Sequence, residues 1–261
     1  MGDRILSIEG KARFDILNGA LSVGKTGAHI APSLSDVDIC LAVLKQFDEA
    51  KDTFILSKGH GALGYYAAMH QLGMITDEQF DSFEQNGGEF PGQPSRHEGN
   101  KIQYSSGSLG MGLSYGLGKA LAKRGTVYVI LGDGELNEGS NWEAAALANQ
   151  YKLENLIAVV DHNGLQSDGL CKDIVGQNLV SLWKAYGWVV VECDGHSIKE
   201  LTDALKSEHP EKPLVVIAKT VKGKGVSFME NDNAWHHAVL KEADYNKAVQ
   251  EIGDTYGLYK E

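Results

Sequence analysis

Leu131-Gly132-Asp133-Gly134-Glu135-Leu136-Asn137-Glu138-Gly139 decides how this chain folds. The run is preceded by Thr126-Val127-Tyr128-Val129-Ile130, an apolar, β-branched segment of the kind that forms a buried parallel strand. A helix-forming stretch, residues 141–151, follows it, with Ser140 or Asn141 available as N-cap. Asp133 therefore sits where a strand's carboxyl end turns into a helix, the edge at which open α/β sheets bind ligands. About thirty residues on, a second apolar strand, Leu156-Ile157-Ala158-Val159-Val160-Asp161, ends in His162-Asn163-Gly164-Leu165. Neighbouring strands bring Asp133 and Asn163 to the same edge. One carboxylate, one amide oxygen and a nearby main-chain carbonyl make a hard-oxygen set suited to Mg²⁺ or Ca²⁺. Three protein oxygens do not close a coordination sphere, so the ion keeps waters or takes oxygens from a diphosphate. Gly132 and Gly134 let such a group approach the main chain. The plainer reading is a solvated Asp in an ordinary turn, and Asn163 at the matched position argues against it.

Outward from this centre the alternation continues. Helical spacing runs over residues 4–22, and a second helix, capped by Ser35 or Asp36, extends to about residue 47. Residues 53–57 read as a strand and 76–83 as a polar helix. Residues 174–186 form a helix and 187–193 a strand; Ser197 caps a helix to residue 207, 213–218 is the last strand and 245–256 a terminal helix. The pattern predicts an α/β fold with a doubly wound parallel sheet, residues 1–261 forming one unit.

Two phosphate-binding patterns are misleading. Gly19-Ala20-Leu21-Ser22-Val23-Gly24-Lys25-Thr26 fits a P-loop, but a helical pattern precedes it and Pro32 stands against a helix beginning at the lysine. A P-loop NTPase is the distant alternative. Gly59-His60-Gly61-Ala62-Leu63-Gly64 fits a dinucleotide fingerprint, yet no strand ending in an acidic residue follows where that fold needs one.

Net charge is −11 over 261 residues without a basic block, which disfavours nucleic acid and anionic membrane as partners. Three scattered cysteines suit neither a disulfide framework nor a zinc site and point to a reducing, cytoplasmic setting.

GDG with Asn about thirty residues later, in the contexts GDGELNEGSNWEA and VVDHNGLQSDG, resembles the metal- and diphosphate-binding signature of thiamine-diphosphate enzymes, and specifically the N-terminal part of transketolases. The resemblance implies a thiamine-diphosphate-binding (PP-type) domain with Mg²⁺, for which Ca²⁺ or Mn²⁺ can substitute. Asp133, Asn163 and the Leu165 carbonyl would hold the ion. His60, His236, Gly132, Gly134 and Glu135 would meet the diphosphate, and the Ser106-Gly107-Ser108-Leu109-Gly110 turn would lie against the aminopyrimidine through Gly107, Ser108 and Leu109. His29, in Ala28-His29-Ile30-Ala31-Pro32-Ser33-Leu34-Ser35, takes the place of an active-site histidine. His60 and His236 are counted with it as catalytic. In Pro91-Gly92-Gln93-Pro94 the chain departs from the family: Gln93 stands where a histidine contacts the donor sugar, with Arg96 and His97 close enough in sequence to compensate. His237 stands where glycine is usual, and Glu138 falls where the family joins its two cofactor sites.

Full transketolases continue into a pyrimidine-binding domain that supplies a glutamate for the cofactor ring. The resemblance therefore implies the N-terminal subunit of a split transketolase, moving a two-carbon ketol unit from a ketose (phosphate) to an aldose. It would act only with a C-terminal partner subunit, in an α₂β₂ heterotetramer. A specialised transketolase for an unusual sugar, or a related synthase, stays open.

Overall fold

The strands of the sheet alternate with chemical regularity. Phe54, Leu56, Tyr128, Ile130, Ile157, Val159, Leu214 and Val216 enter one apolar core, whereas Ile55, Val127, Val129, Leu131, Leu156, Ala158, Val160 and Val215 enter another. Side chains of successive strand residues point to opposite faces, so a strand covered on both sides must be apolar throughout. The computed structural model describes residues 4–97, 99–122 and 125–259. Its five-stranded sheet has the order β2-β3-β4-β6-β5, with β2 Thr53–Leu56, β3 Val127–Gly132, β4 Leu156–His162, β5 Val189–Asp194 and β6 Leu214–Lys219, all parallel. The predicted doubly wound sheet is thus observed.

One face carries α2 (Ile30–Leu44), α3 (Ala62–Gln71) and α9 (Ile198–Leu205); the other carries α5 (Gly112–Leu121), α6 (Gly139–Gln150) and α8 (Leu179–Ala185). Outside the first face, α1 (Ile8–Ser22) packs on α2, α3 and α10 (Glu242–Tyr256). Sandwiched in this way, α2 is buried along its whole length. Its polar side chains therefore need partners: Asp38 takes Arg13, Ser35 donates to Asp161 at 2.7 Å, and Ser33 donates to the His29 carbonyl at 2.8 Å. Short helices α4 (Asp77–Asp81), held by a Thr76–Gln79 capping box, and α7 (Cys171–Val175) complete the set. Among the described residues no helix is long and apolar enough to cross a membrane.

Several boundaries correct the sequence reading. Residues 4–6 are not the start of α1 but β1 (Arg4–Leu6), paired antiparallel with β7 (Gly257–Tyr259), and Ser7 caps the helix instead. Helix α2 begins at Ile30 and runs through Pro32, because a proline in the first turn gives up an N–H that has no intrahelical partner. Pro32 therefore does not bar a helix, but both objections to a P-loop hold: α1, not a strand, precedes the glycines, and α2 begins at Ile30 instead of at Lys25, after the 3₁₀ turn Gly24–Thr26. Neither Ser140 nor Asn141 caps α6. Ser140 Oγ donates to Gly110 O, Asn141 Nδ2 donates to Glu135 O, and Glu138 takes the cap position without a side-chain bond. The helix expected over 174–186 is split into α7 and α8, since Asn178 caps the second piece through Ser181 N. The last helix starts at Glu242 rather than 245.

Candidate active site

At the carboxyl edge of the sheet the β3–β4 register places Gly132, the last residue of β3, beside Asp161, one residue before β4 ends at His162. Asp133, 6% exposed, accepts hydrogen bonds from Gly134 N (2.8 Å) at Oδ1 and from Gly164 N (2.6 Å) at Oδ2. His162 Nδ1 lies 3.1 Å from the same Oδ2, and that contact raises the histidine's pKa. Asn163 Oδ1 accepts from Leu165 N at 3.0 Å, while its Nδ2 donates to Ser35 Oγ at 3.2 Å. Asp133, Asn163 and Leu165 line one cavity of about 220 Å³. Among the described residues no group of three His, Cys, Asp or Glu side chains converges on a metal position. The oxygens available here are one carboxylate, one amide and a main-chain carbonyl.

The same cavity is lined by His60, Leu109, Gly132, Gly134, Glu135 and His236. His60 lies on the 3₁₀ turn Gly59–Gly61, which links β2 to α3. A bridge between Ala28 and Ala238 brings His29, at the N-cap of α2, against the loop after Trp235. His29 then lies 6.0 Å from His60, 5.4 Å from His236 and 4.7 Å from His237, ring centre to ring centre. Burial first, then His237 and Lys58, push His29 down to about 4. Burial, then Lys222 and His29, push His236 down to about 4, and burial with Lys58 holds His60 well below the usual histidine range. At neutral pH these rings are uncharged donors and acceptors.

Other expected residues stand differently. Glu135 is buried with its carboxylate consumed by the chain itself, accepting from Ser57 Oγ, from Gly110 N at 2.9 Å and from Gly132 N at 3.1 Å. It shapes the wall rather than offering free oxygens. Gly107 and Ser108 are exposed and lie outside the cavity lining, whereas Leu109 is in it. Glu138, exposed at the start of α6, lies at the rim. Gln93 Oε1 reaches within 2.8 Å of where a Cβ on Gly59 would stand, next to His60. Arg96 and His97 do not join it. Ser106 N bonds to Pro94 O at 2.9 Å, and beyond this closure Arg96 and His97 line a separate hollow of about 380 Å³.

Two lysines that the sequence reading left unassigned also line the cavity. Lys58 is buried and lies 2.5 Å from Asp161 Oδ2, 3.1 Å from Asp36 Oδ2 and 3.2 Å from Pro32 O. Burial, against the pull of Lys58, raises Asp36 to about 8, so the Lys58–Asp161 pair carries the charges at neutral pH. Gly61 and Gly64 exist to admit Asp36: an added Cβ would stand 1.8 and 2.4 Å from its oxygens. Lys222, 2% exposed, donates among the described residues to two neutral oxygens, Gln166 O at 3.2 Å and Asn233 Oδ1 at 3.1 Å. Burial, then Lys58, push its ammonium down to about 8. His236 Nδ1 and Gln166 Nε2 are buried and find no hydrogen-bond partner among the described residues. The signal for both lysines was their place just past a buried strand's carboxyl end. Basic loop residues are usually solvated, and sequence alone does not reveal burial.

A lysine without an anionic partner, Lys222, and unpartnered nitrogens share the cavity with an oxygen-donor turn, a combination that fits an anion bridged to a divalent cation. The cavity falls below the roughly 300–1,000 Å³ that encloses a whole small-molecule ligand, so it suits part of one.

The family model described as transketolase, thiamine diphosphate binding domain, matches residues 44–258. The apulose-4-phosphate transketolase subunit from Actinobacillus succinogenes is 40% identical over 244 residues, covering 87% of this chain and 88% of that one. The 6-deoxy-6-sulfo-D-fructose transketolase subunit SqwG of a Clostridium species is 36% identical over 248 residues, covering 88% and 90%. The solved transketolase from Leishmania mexicana superposes with a TM-score of 0.84 at 26% identity, covering 95% of this chain but only 42% of its own.

Proposed function

This chain belongs to the transketolase family through its thiamine-diphosphate-binding domain, and from that premise we propose that it is the cofactor-holding subunit of a two-chain transketolase. In this reading residues 1–261 form one unit that moves a two-carbon ketol group from a ketose to an aldose together with a pyrimidine-binding partner subunit, most simply as α₂β₂ in the cytoplasm. The observation that carries it is the meeting of Asp133, Asn163, Lys222, His60 and His236 around one cavity. Bound thiamine diphosphate supplies the carbanion chemistry of ketol transfer. Asp133, Asn163 Oδ1 and the Leu165 carbonyl would hold Mg²⁺. Lys222, His60, His236 and the Gly132 and Gly134 main chain would bind the diphosphate, Lys222 as its charged donor. His29, beside His60, and Gln93, against Gly59, would orient the substrate hydroxyls as neutral partners. A partial-ligand cavity, and relatives that are named as transketolase subunits and are covered over 88% and 90% of their own length, both support the need for a second polypeptide.

The substrate reading is a ketose bearing an anionic substituent. Its support is the pair of relatives named for apulose-4-phosphate and 6-deoxy-6-sulfo-D-fructose, one a phosphate and the other a sulfonate. The test is ketol transfer from a panel of phosphorylated and sulfonated ketoses, by this chain alone and with its partner. Turnover requiring both chains, Mg²⁺ and thiamine diphosphate is expected. Full activity from this chain alone would refute the two-chain reading, and no cofactor binding by the pair would refute the cofactor assignment.

A further inference from the structure

The loop that carries Lys222 is gripped from beneath by buried groups that no role above uses. Arg13, on α1, is fully buried and donates to both oxygens of Asp38 on α2, at 2.9 Å from Nη1 and 2.5 Å from Nη2. Asp38 Oδ2 also lies 2.8 Å from His196 Nδ1. On the other side of that ring, Val221 N–H donates to His196 Nε2 at 2.8 Å. Arg13 reaches the same loop again, its Nε donating to Lys224 O at 3.2 Å. Lys222 stands between these two fixed points.

The bonds determine the protons. A main-chain N–H needs a bare nitrogen, so Nε2 carries no hydrogen and Nδ1–H is directed at Asp38. A carboxylate behind an imidazole fixes both its tautomer and its orientation, as it does behind metal-bound histidines. Burial would raise Asp38, but Arg13 and then His196 hold it below the usual carboxylate range, so the relay stays ionised. Between the fixed points Gly223 turns the chain at φ +85°, its N–H donating to Ala31 O at 3.0 Å. A buried ion pair is weak evidence for stability and is better understood as a device that fixes geometry.

We infer that Arg13, Asp38 and His196 form a positioning relay that fixes the main chain on both sides of Lys222, aiming its ammonium at the cofactor's diphosphate. The inference rests on the reading of Lys222 given above. His196 is a positioning residue: it acts through Val221 and not on the ligand.

A double-mutant cycle on the assembled two-chain enzyme, with Mg²⁺–thiamine diphosphate binding measured by calorimetry, tests it. His196→Asn keeps a donor for Asp38 but is too short to reach Val221 N. It should weaken binding about tenfold, the scale of one lost buried hydrogen bond. Lys222→Met should weaken binding at least as much, and the double variant no further than Lys222→Met, because the relay acts only through that lysine. His196→Gln, whose amide can meet both partners, should return binding to near the wild-type value. Hydrogen exchange at the Val221 amide should accelerate in His196→Asn while β6 keeps its protection. The ¹⁵N shifts of His196 in the unsubstituted chain, which need no variant to fold, should report the Nδ1–H tautomer. Normal binding by His196→Asn, additive losses in the cycle, or an Nε2–H tautomer would overturn the relay. Normal binding by Lys222→Met would instead overturn the reading of Lys222 itself.

Discussion

On the β3–β4 side of the cavity the carboxylate and amide oxygens are already held by main-chain amides; on the facing side His236 Nδ1 has no partner among the described residues and Lys222 meets neutral oxygens. Asp133 and Asn163 accept from Gly134, Gly164 and Leu165, so their oxygens hold position without a ligand. Opposite them, His236 Nδ1 has no partner among the described residues, and His29, His60, His236 and Lys222 are all pushed toward their neutral forms by burial. One wall is preorganised and the other is under-charged. A ligand that brings a cation to the first and an anion to the second satisfies both, and each wall should fail in its own way.

The largest effect is expected at the preorganised wall. Asp133→Ala should cost roughly a hundredfold or more in thiamine-diphosphate affinity, since removing a metal's only carboxylate exceeds the 10–100-fold cost of an outer-shell change. Chelating the divalent cation should cost wild type as much and the variant nothing more. A variant that keeps both its affinity and its metal dependence would remove Asp133 from the ion site. At the facing wall, Lys222→Met should weaken binding about tenfold to a hundredfold, the range of a charge-assisted bond, with metal dependence intact. If the two substitutions produce the same metal response, the contrast between the walls is false.

Gln93 lies outside the cavity lining, its Oε1 against Gly59, the residue before His60. A Gln fitted to the native donor offers a neutral hydrogen bond worth about 1 kcal/mol, which a histidine of different shape would not reproduce. Gln93→His should therefore lower turnover on the native ketose by a few-fold up to about tenfold while adding little on xylulose 5-phosphate or fructose 6-phosphate. An unchanged profile across a ketose panel would take Gln93 out of the donor site.

The smallest effect is one of pH. Lys222 titrates at about 8 in the free chain, and a bound anion raises that value. Above pH 8 the free chain must therefore take up a proton to bind, so affinity falls as pH rises through 8, by a few-fold up to about tenfold per unit. Below pH 8 the lysine is charged in both states and contributes no slope. Dissociation constants between pH 7 and 9.5 should show this break in wild type and lose it in Lys222→Met.

Asp133 and Asn163 were legible because each follows a long apolar strand, and a parallel strand's carboxyl end has one place to go. Arg96 and His97 were misplaced because proximity in sequence does not reveal that Ser106 and Pro94 close the loop behind them. Ser140 and Asn141 have good capping chemistry, but tertiary bonds to Gly110 and Glu135 took them first.

By itself the sequence determined the parallel sheet, its doubly wound layering and the edge where the site forms. These follow from periodicities of two and 3.6, local properties written into every strand and helix. Only the tertiary structure decided that α2 is buried on every side, that Lys58 and Lys222 face the cavity instead of water, and that Arg13, Asp38 and His196 meet. Those facts depend on which surfaces cover one another, and burial, which sets the cost and the protonation of every charged group, is a property of the packed molecule and of no single residue.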